Sequence, residues 1–259
     1  MNDWSIQKIE QFLRETEMLT ASQKLEIKQD ARKGVQLAYE RWTRRAEKRQ
    51  ERLQHFALMQ EFEQACFAQG FERIAGVDEV GRGPLAGPVV AGAVILKKSA
   101  FLPESGLVGL NDSKQLTKKE RALFVELIKS NAVSFGIGLA TSQEIDEINI
   151  YQATKLAMTR ALSQLQAEPD HVFIDALDLP LIVPQTPIVK GDARSLTIAA
   201  ASVLAKEYRD ALMVELDERF PGYAFSSHAG YATKAHLEAV EKLGPCPEHR
   251  LSFAPFKIS

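Results

Sequence analysis

Proline and glycine are distributed very unevenly along this chain. Residues 1–70 contain no proline and only two of the 15 glycines, whereas all 11 prolines and the other 13 glycines follow residue 70. Because these two residues interrupt helices and mark turns, only the first part can form long uninterrupted helices. The sequence therefore predicts a helical N-terminal segment over residues 1–70 and a second domain over 71–259.

The N-terminal segment has a helical pattern. Apolar residues recur at helical spacing over residues 6–13, and Ser22 is a candidate N-cap for a second helix. From Lys24 to about Phe67 the only helix breaker is Gly34. We therefore expect a long helix here, with a possible role in holding substrate.

The charge of this helix is concentrated in residues 41–52. Six basic residues face two acidic ones there, although the whole chain has a net charge of −2. The basic residues are Arg41, Arg44, Arg45, Lys48, Arg49 and Arg52. Two interpretations stay open: a solvated face with ion pairs four residues apart, or a surface that binds nucleic-acid phosphates.

Composition excludes several classes of protein. The longest apolar run, Val89–Leu96, is too short for a membrane helix and contains Gly92. Met1–Trp4 lacks the basic and apolar regions that begin a secretory signal. Cys66 and Cys246 cannot build a disulfide framework or a zinc site. A cytoplasmic location is expected.

Beyond residue 70, short strand-like and helix-like runs alternate. The strand-like runs are Ile74–Val77, Val89–Ile95, Val133–Leu139, Val172–Asp175 and Pro187–Val189, and the helix-like runs are Leu116–Lys129, Asn149–Gln166 and residues 194–218. Consecutive strands followed by alternating strands and helices favour a mixed sheet with helices on its faces. The predicted fold class is α/β.

Carboxylates follow several of these strands. Asp78 and Glu79 end the first run, Asp175 ends the fourth, and Asp192 follows the fifth. Asp78 and Glu79 have an ordinary alternative as a surface turn at a strand end, and Asp192 has one as a helix N-cap. Open sheets place their sites at the carboxyl ends of strands, and oxygen ligands suit Mg²⁺ or Mn²⁺. Two such ions can support phosphodiester cleavage.

A glycine-rich stretch follows the first carboxylate pair. Gly81, Arg82 and Gly83 allow a close approach of the backbone to a ligand. The stretch matches a dinucleotide-binding fingerprint only weakly, because Pro84 lies within it and a strand follows where a helix is required. No phosphate-binding P-loop motif occurs in the sequence.

Four blocks of sequence resemble those of bacterial ribonuclease HII. They are Ile74–Val89, Leu110–Leu116, Val189–Ser195 continuing to Asp210, and Gly230–Phe253. Together they extend over about residues 73–257 in the order that the family shows. The histidines His236 and His249 lie in the last block and are expected to be ordinary hydrogen-bonded side chains.

The resemblance implies a ribonuclease H-like fold and a specific activity. The family cleaves RNA in RNA–DNA hybrids and incises duplex DNA 5′ of single ribonucleotides, giving 5′-phosphate and 3′-hydroxyl ends. Its four acids correspond to Asp78, Glu79, Asp175 and Asp192, which would hold two Mn²⁺ or Mg²⁺ ions.

The resemblance also assigns substrate-binding residues. The backbone loop Gly81-Arg82-Gly83 would contact the ribose 2′-hydroxyl, and Tyr231 would sense the RNA–DNA junction. The expected substrate-binding residues are Gly81, Arg82, Gly83, Ser113, Lys114, Arg194, Ser195 and Tyr231. A monomer with no obligate protein partner and no membrane association is expected.

The chain departs from the common family pattern at three alanines. Ala176 replaces a glycine that often follows the third acid, and Ala229 and Ala232 flank the tyrosine block where the family usually has lysine and glycine. We therefore expect the preference for the RNA–DNA junction to be the property that differs most from the family. The two alternatives are a ribonuclease HIII-like preference for long hybrids, and a protein that binds hybrids without cleaving them.

Overall fold

A computed structural model describes residues 4–256. The chain divides into two compact units, Met1–His55 and Phe56–Ser259. The N-terminal unit contains the helices α1 (Ile6–Glu15), α2 (Ala21–Gln29) and most of α3 (Lys33–Leu58). Its apolar core is formed by Ile9, Leu13, Leu19, Ile27, Val35, Ala38 and Trp42.

The helical nature of this unit follows the prediction, but two details differ. Thr20, not Ser22, is the N-cap of α2, because the Thr20 hydroxyl accepts from the Gln23 N–H and the Gln23 side chain accepts from the Thr20 N–H. The expected long helix is also broken. It ends at Gln29, resumes as α3, and breaks again before residue 61.

The second unit alternates strands and helices as predicted. Its elements are α4 (Glu61–Ala68), β1 (Ile74–Val80), β2 (Val89–Leu96), α5 (Lys118–Asn131), β3 (Ala132–Ala140), α6 (Ser142–Ser163), β4 (His171–Asp175), β5 (Gln185–Ile188), α7 (Leu196–Arg219), α8 (Phe225–His228) and α9 (Lys234–Leu243). The strands form one mixed sheet in the order β3-β2-β1-β4-β5. The first three strands pair antiparallel, while β4 pairs parallel with both β1 and β5. The α/β prediction is confirmed.

Helices cover both faces of this sheet. α7 packs on β1 and β2, and α6 packs on β2 and β3 from the other side. Every residue of β2 is buried, which explains the continuous apolar run in its sequence. The core is thus three layers thick, with the strand ends left open at its edge.

The close approach of α7 to the sheet depends on two glycines. A Cβ atom on Gly76 would lie 2.2 Å from the Thr197 carbonyl carbon, and one on Gly92 would lie 2.4 Å from the Ala201 oxygen. Such distances are far inside van der Waals contact, so only glycine permits this packing. Backbone contact therefore fixes the height of α7 above β1 and β2.

The boundary between the compact units differs from the boundary in sequence composition. The change in proline and glycine content lies near Gly70, whereas the compact units divide within α3, between His55 and Phe56. Phe56 and Met59 belong to the core of the second unit, where they pack with residues of α5 and α7. None of the helices in residues 4–256 has the length and hydropathy needed to cross a membrane.

We predict that Gly76→Ala lowers the free energy of unfolding by about 1–3 kcal/mol, because the added methyl group must displace the backbone of α7. Urea denaturation monitored by circular dichroism measures this change. Gly83→Ala is the matched control, since a Cβ there meets only the Tyr231 ring at 3.8 Å. Equal stability of the two variants would contradict the packing argument.

Candidate active site

The parallel pairing of β1 with β4 brings three carboxylates to one edge of the sheet. Val77 is paired with Ile174, so Asp78 and Asp175, the next residues along the two strands, are neighbours at the carboxyl ends. Glu79 follows on β1, and its N–H donates to Asp78 Oδ1 at 2.7 Å. The edge predicted from the sequence therefore does gather these acids.

The fourth acid, Asp192, reaches the same edge on a short 3₁₀ turn, Gly191–Ala193, that lies between β5 and α7. The turn is joined to β4 because the Gly191 N–H donates to Asp175 Oδ1 at 2.7 Å. The N-cap of α7 is Ser195, whose hydroxyl accepts from the Ile198 N–H. The ordinary alternative for Asp192, a helix N-cap, is therefore wrong.

Burial and mutual repulsion disfavour ionisation of these acids. Burial, with the neighbouring charge of Glu79, raises the pKa of Asp78 well above its usual range, while a hydrogen bond from Ser202 works in the opposite direction. Burial also raises the pKa of Glu79 and of Asp192. Carboxylates with raised pKa values that are clustered at a cleft are typical of a functional site.

Two cations lie beside the acids. Arg82 Nη1 donates to Glu79 Oε1 at 3.2 Å. Lys114 Nζ lies 3.7 Å from Asp192 Oδ2 and 3.8 Å from Asp112 Oδ1. Although partial burial opposes its charge, these carboxylates raise the pKa of Lys114, so it stays protonated at neutral pH.

A cleft of about 250 Å³ adjoins the acids. Its walls are Glu79, Val80, Gly81, Arg82, Gly83, Ser113, Lys114, Ser202, Lys206 and Tyr231. Tyr231 is 47% exposed, and its ring lies alongside Gly83. The glycine loop, the tyrosine and Glu79 of the acidic cluster therefore border one cavity.

Two fully buried arginines hold the walls of this cleft. Arg250 donates to the carbonyl oxygens of Gly81 (2.6 Å) and Arg82 (2.9 Å). Arg209 donates to the carbonyls of Pro88 and Ala229, each at 3.0 Å, and so joins the segment after the glycine loop to the segment before Tyr231. Burial lowers the pKa of Arg250 to about 9 and of Arg209 to about 10. The loop is therefore held through its main chain.

The histidines of the C-terminal block support the tyrosine segment. His236 Nδ1 lies 2.9 Å from the Tyr231 carbonyl oxygen, and its Nε2 lies 3.1 Å from Nε2 of His249. Both rings are buried, and burial lowers the pKa of His236 and brings that of His249 to about 4. They are hydrogen-bonded core histidines, as the sequence suggested.

Two of the expected substrate-binding residues point elsewhere. Arg194 lies over the Phe62 ring at 5.0 Å and donates to the Val189 carbonyl. Ser195 is completely buried and donates to Glu63. Their assignment to substrate stays a prediction that this geometry does not support.

Two polar residues of the cleft are not among those predicted from the sequence. Ser202 and Lys206 both face the cavity from α7, and the Ser202 hydroxyl lies 3.0 Å from that of Ser113. The signal was present in the sequence: they are polar residues four positions apart, hence on one face of a helix rich in buried alanines.

The donor set suits a divalent cation with oxygen ligands. Glu79 Oε2 is buried and has no hydrogen-bond partner within residues 4–256, so a lone pair is left without compensation. In that part of the chain no three acidic, imidazole or thiol groups already converge on one point. Mg²⁺ needs only one or two carboxylates when substrate phosphates and water complete its shell. The residues therefore fit such an ion, with substrate supplying further ligands.

Comparison with known proteins gives a consistent family. The family model "Ribonuclease HII" matches residues 75–256, and "Ribonuclease HII N-terminal domain" matches residues 5–67. A protein named ribonuclease HII from Bacillus cytotoxicus is 46% identical over 257 residues, which cover 99% of this chain and 97% of that protein.

Solved structures share the fold of most of this chain. Ribonuclease H2 from Pyrococcus horikoshii matches with a TM-score of 0.59 and 26% identity over 71% of this chain and 95% of its own. A Mn²⁺ complex of Bst-RNase HIII matches with a TM-score of 0.52 and 20% identity over 71% of this chain and 68% of its own. The latter likeness concerns the fold alone.

We predict that Asp78→Asn stabilises the metal-free protein at neutral pH. The folded-state pKa of Asp78 lies above the unfolded value, so its contribution to stability falls as pH rises above about 4. A neutral amide removes that penalty. Urea denaturation in EDTA at pH 5 and pH 8 measures the difference, which should be larger at pH 8.

Glu126→Gln provides the control for this comparison. Glu126 is an exposed carboxylate on α5, with 76% of its side chain accessible. Its replacement should change stability by less than about 0.5 kcal/mol at either pH. An Asp78→Asn variant less stable than the native protein at pH 8 would refute the electrostatic description of the site.

Proposed function

Because this chain belongs to the ribonuclease HII family, whose members cleave RNA in RNA–DNA hybrids, we propose a more specific activity for it. It incises duplex DNA on the 5′ side of single embedded ribonucleotides and leaves 5′-phosphate and 3′-hydroxyl ends. Two Mg²⁺ or Mn²⁺ ions serve this hydrolysis, held by Asp78, Glu79, Asp175 and Asp192.

One observation carries this proposal: the glycine loop and Tyr231 border the same cleft as Glu79, at the sheet edge where the other acids lie. The 2′-hydroxyl is the group that distinguishes RNA from DNA at a given position. Main-chain groups of Gly81 and Gly83 can approach a ribose closely because no side chain intervenes. Tyr231 offers an exposed ring beside that loop for the adjoining sugar. Recognition of one ribonucleotide thus adjoins the hydrolytic groups.

The residues divide the chemical work between them. Bound divalent ions would activate water for in-line attack and stabilise the departing 3′-oxygen. Asp175 is held in place by the Gly191 N–H, and Asp78 by the Glu79 N–H and the Ser202 hydroxyl, so both carboxylates are oriented before substrate arrives. Lys114, protonated beside Asp192, offers its positive charge to a phosphate oxygen.

The activity can be tested with two labelled substrates, a DNA duplex with one ribonucleotide and a long RNA–DNA hybrid. Each is incubated with Mg²⁺, Mn²⁺ or EDTA. We expect metal-dependent incision 5′ of the single ribonucleotide. Asp78→Asn should reduce turnover by more than the ~10–100-fold typical of losing an outer-shell partner.

A variant of the tyrosine refines this test. Tyr231→Ala should lower the ratio of single-ribonucleotide incision to hybrid cleavage by about tenfold, because the variant has no aromatic ring to pack at the junction. The ratio does not depend on the amount of active enzyme. Cleavage of the long hybrid alone by the native protein would instead favour a ribonuclease HIII-like preference. Ala229 and Ala232 would then be the first residues to test as its cause. Binding without cleavage would favour the non-catalytic alternative.

We further propose that the N-terminal unit helps to hold the nucleic acid. Arg44, Lys48 and Arg52 are exposed along α3 at intervals of four residues, and none forms an ion pair with another residue in 4–256. Arg41 is engaged with Glu10 (3.1 Å), whereas Arg45 donates to main-chain carbonyls. The helix thus has one line of engaged cations and one line that is open to phosphates.

Replacing these three open cations by glutamine should raise KM for a hybrid about tenfold at 150 mM salt and leave kcat unchanged. The slope of log KM against log salt should fall, by up to ~0.9 for each phosphate that the variant no longer neutralises. Glu47→Gln/Glu51→Gln on the same helix is the control and should not raise KM. An unchanged KM in the triple variant would favour the solvated-face interpretation of this helix.

A further inference from the structure

Glu63 is the most completely buried carboxylate outside the acidic cleft. It lies on α4, with no exposed surface, and its sequence position falls in the part that matches the N-terminal domain model. Its Oε2 has no hydrogen-bond partner within the described residues 4–256. Keeping an acid in such a place is costly, so its contacts need an explanation.

All of the hydrogen bonds of Glu63 are made by its other oxygen, at the start of α7. Oε1 accepts from the Ser195 hydroxyl (2.7 Å), the Thr197 N–H (3.0 Å) and the Thr197 hydroxyl (2.9 Å). A carboxylate at a helix N-terminus interacts favourably with the helix dipole. Although burial raises the pKa of Glu63, these hydrogen bonds work in the opposite direction.

Residues 59–63 accept hydrogen bonds from the first two N–H groups of α7. The Leu196 N–H donates to the Met59 carbonyl at 2.8 Å, and the Thr197 N–H donates to Glu63. The third, that of Ile198, is satisfied by Ser195, which itself donates to Glu63. The free ends of a helix must find such partners. Residues 59–63 therefore determine where α7 begins.

The start of α7 is also the end of the turn that carries Asp192. The N–H groups of Arg194 and Ser195 donate to the Gly191 carbonyl at 2.9 and 2.8 Å and close that turn. Phe62, the neighbour of Glu63, lies under the Arg194 guanidinium at 5.0 Å. A displacement of Ser195 would therefore be transmitted directly to the turn and to the carboxylate of Asp192.

We propose that Glu63 is a positioning residue for the active site: through Ser195 and Thr197 it holds the Asp192 turn where the carboxylate can serve a divalent cation. The inference rests on the proposed function in assigning Asp192 to the metal. It places a determinant of the catalytic centre in the part of the sequence that matches the N-terminal domain model.

Binding of Mn²⁺ to the full-length protein, measured by calorimetry without substrate, tests this. Glu63→Met keeps the length of the side chain and removes both oxygens, and its apparent Kd for Mn²⁺ should rise about tenfold, within the range found for outer-shell changes. Glu63→Gln keeps an acceptor oxygen and should bind Mn²⁺ within about twofold of the native protein. Thr197→Val, which removes one of the three hydrogen bonds, carries the test if Glu63→Met does not fold.

Cys66→Ala is the matched control on α4. Cys66 is buried one turn further along and belongs to an apolar cluster. Its replacement should lower Tm and leave the Kd for Mn²⁺ unchanged. If Glu63→Met, or Thr197→Val in its place, lowers Tm and binds Mn²⁺ with native affinity, Glu63 is structural only and the inference fails. Native protein that binds Mn²⁺ but incises neither substrate would contradict the proposed function and leave the comparison of Kd values valid.

Discussion

The contact between α7 and the two central strands β1 and β2 controls the geometry of the second unit. Where side chains would normally separate a helix from a sheet, Gly76 and Gly92 let the backbones meet. α7 carries Ser202 and Lys206 into the cleft and begins immediately after the Asp192 turn. The sheet carries the other three acids. A shift of α7 along or away from the sheet would therefore separate groups that the proposed function assigns to one phosphate.

Repulsion between the acids and the hydrogen bonds that support the site involve different groups. The acids at the sheet edge raise one another's energy, and Arg82 and Lys114 relieve part of that repulsion. Behind and beside them, buried polar groups bond mainly to main-chain atoms. Arg250 and Arg209 hold the glycine loop and the tyrosine segment, and Glu63 holds the first turn of α7. The glycine loop, the tyrosine segment and the first turn of α7 are thus held by groups other than the four acids.

The sequence predicted the fold class and the meeting of the acids, because both follow from local patterns and from parallel pairing at strand ends. It did not predict the details that depend on tertiary contacts. Thr20 caps α2 instead of Ser22, and Ser195 caps α7 instead of Asp192. Ser195 resembled a substrate contact in its motif, but its partner Glu63 is 132 positions away in the chain. Local sequence periodicity does not predict such a distant pairing. It also does not predict the hydrogen bonds of the buried Arg209 and Arg250 to distant carbonyl groups.

The parallel pairing of β1 with β4 also has a consequence for the timing of folding. The two strands join segments that are 97 positions apart, and Asp192 follows still later in the chain. Such non-local pairing is slow to form, because the entropy of closing a long loop is lost before the strand contacts stabilise the chain. A chain emerging from the ribosome therefore carries Asp78 and Glu79 for a long interval without the residues that complete their site. The carboxylates gather only when most of the chain has been made, so a nascent polypeptide lacks the four-acid cluster until late in its synthesis.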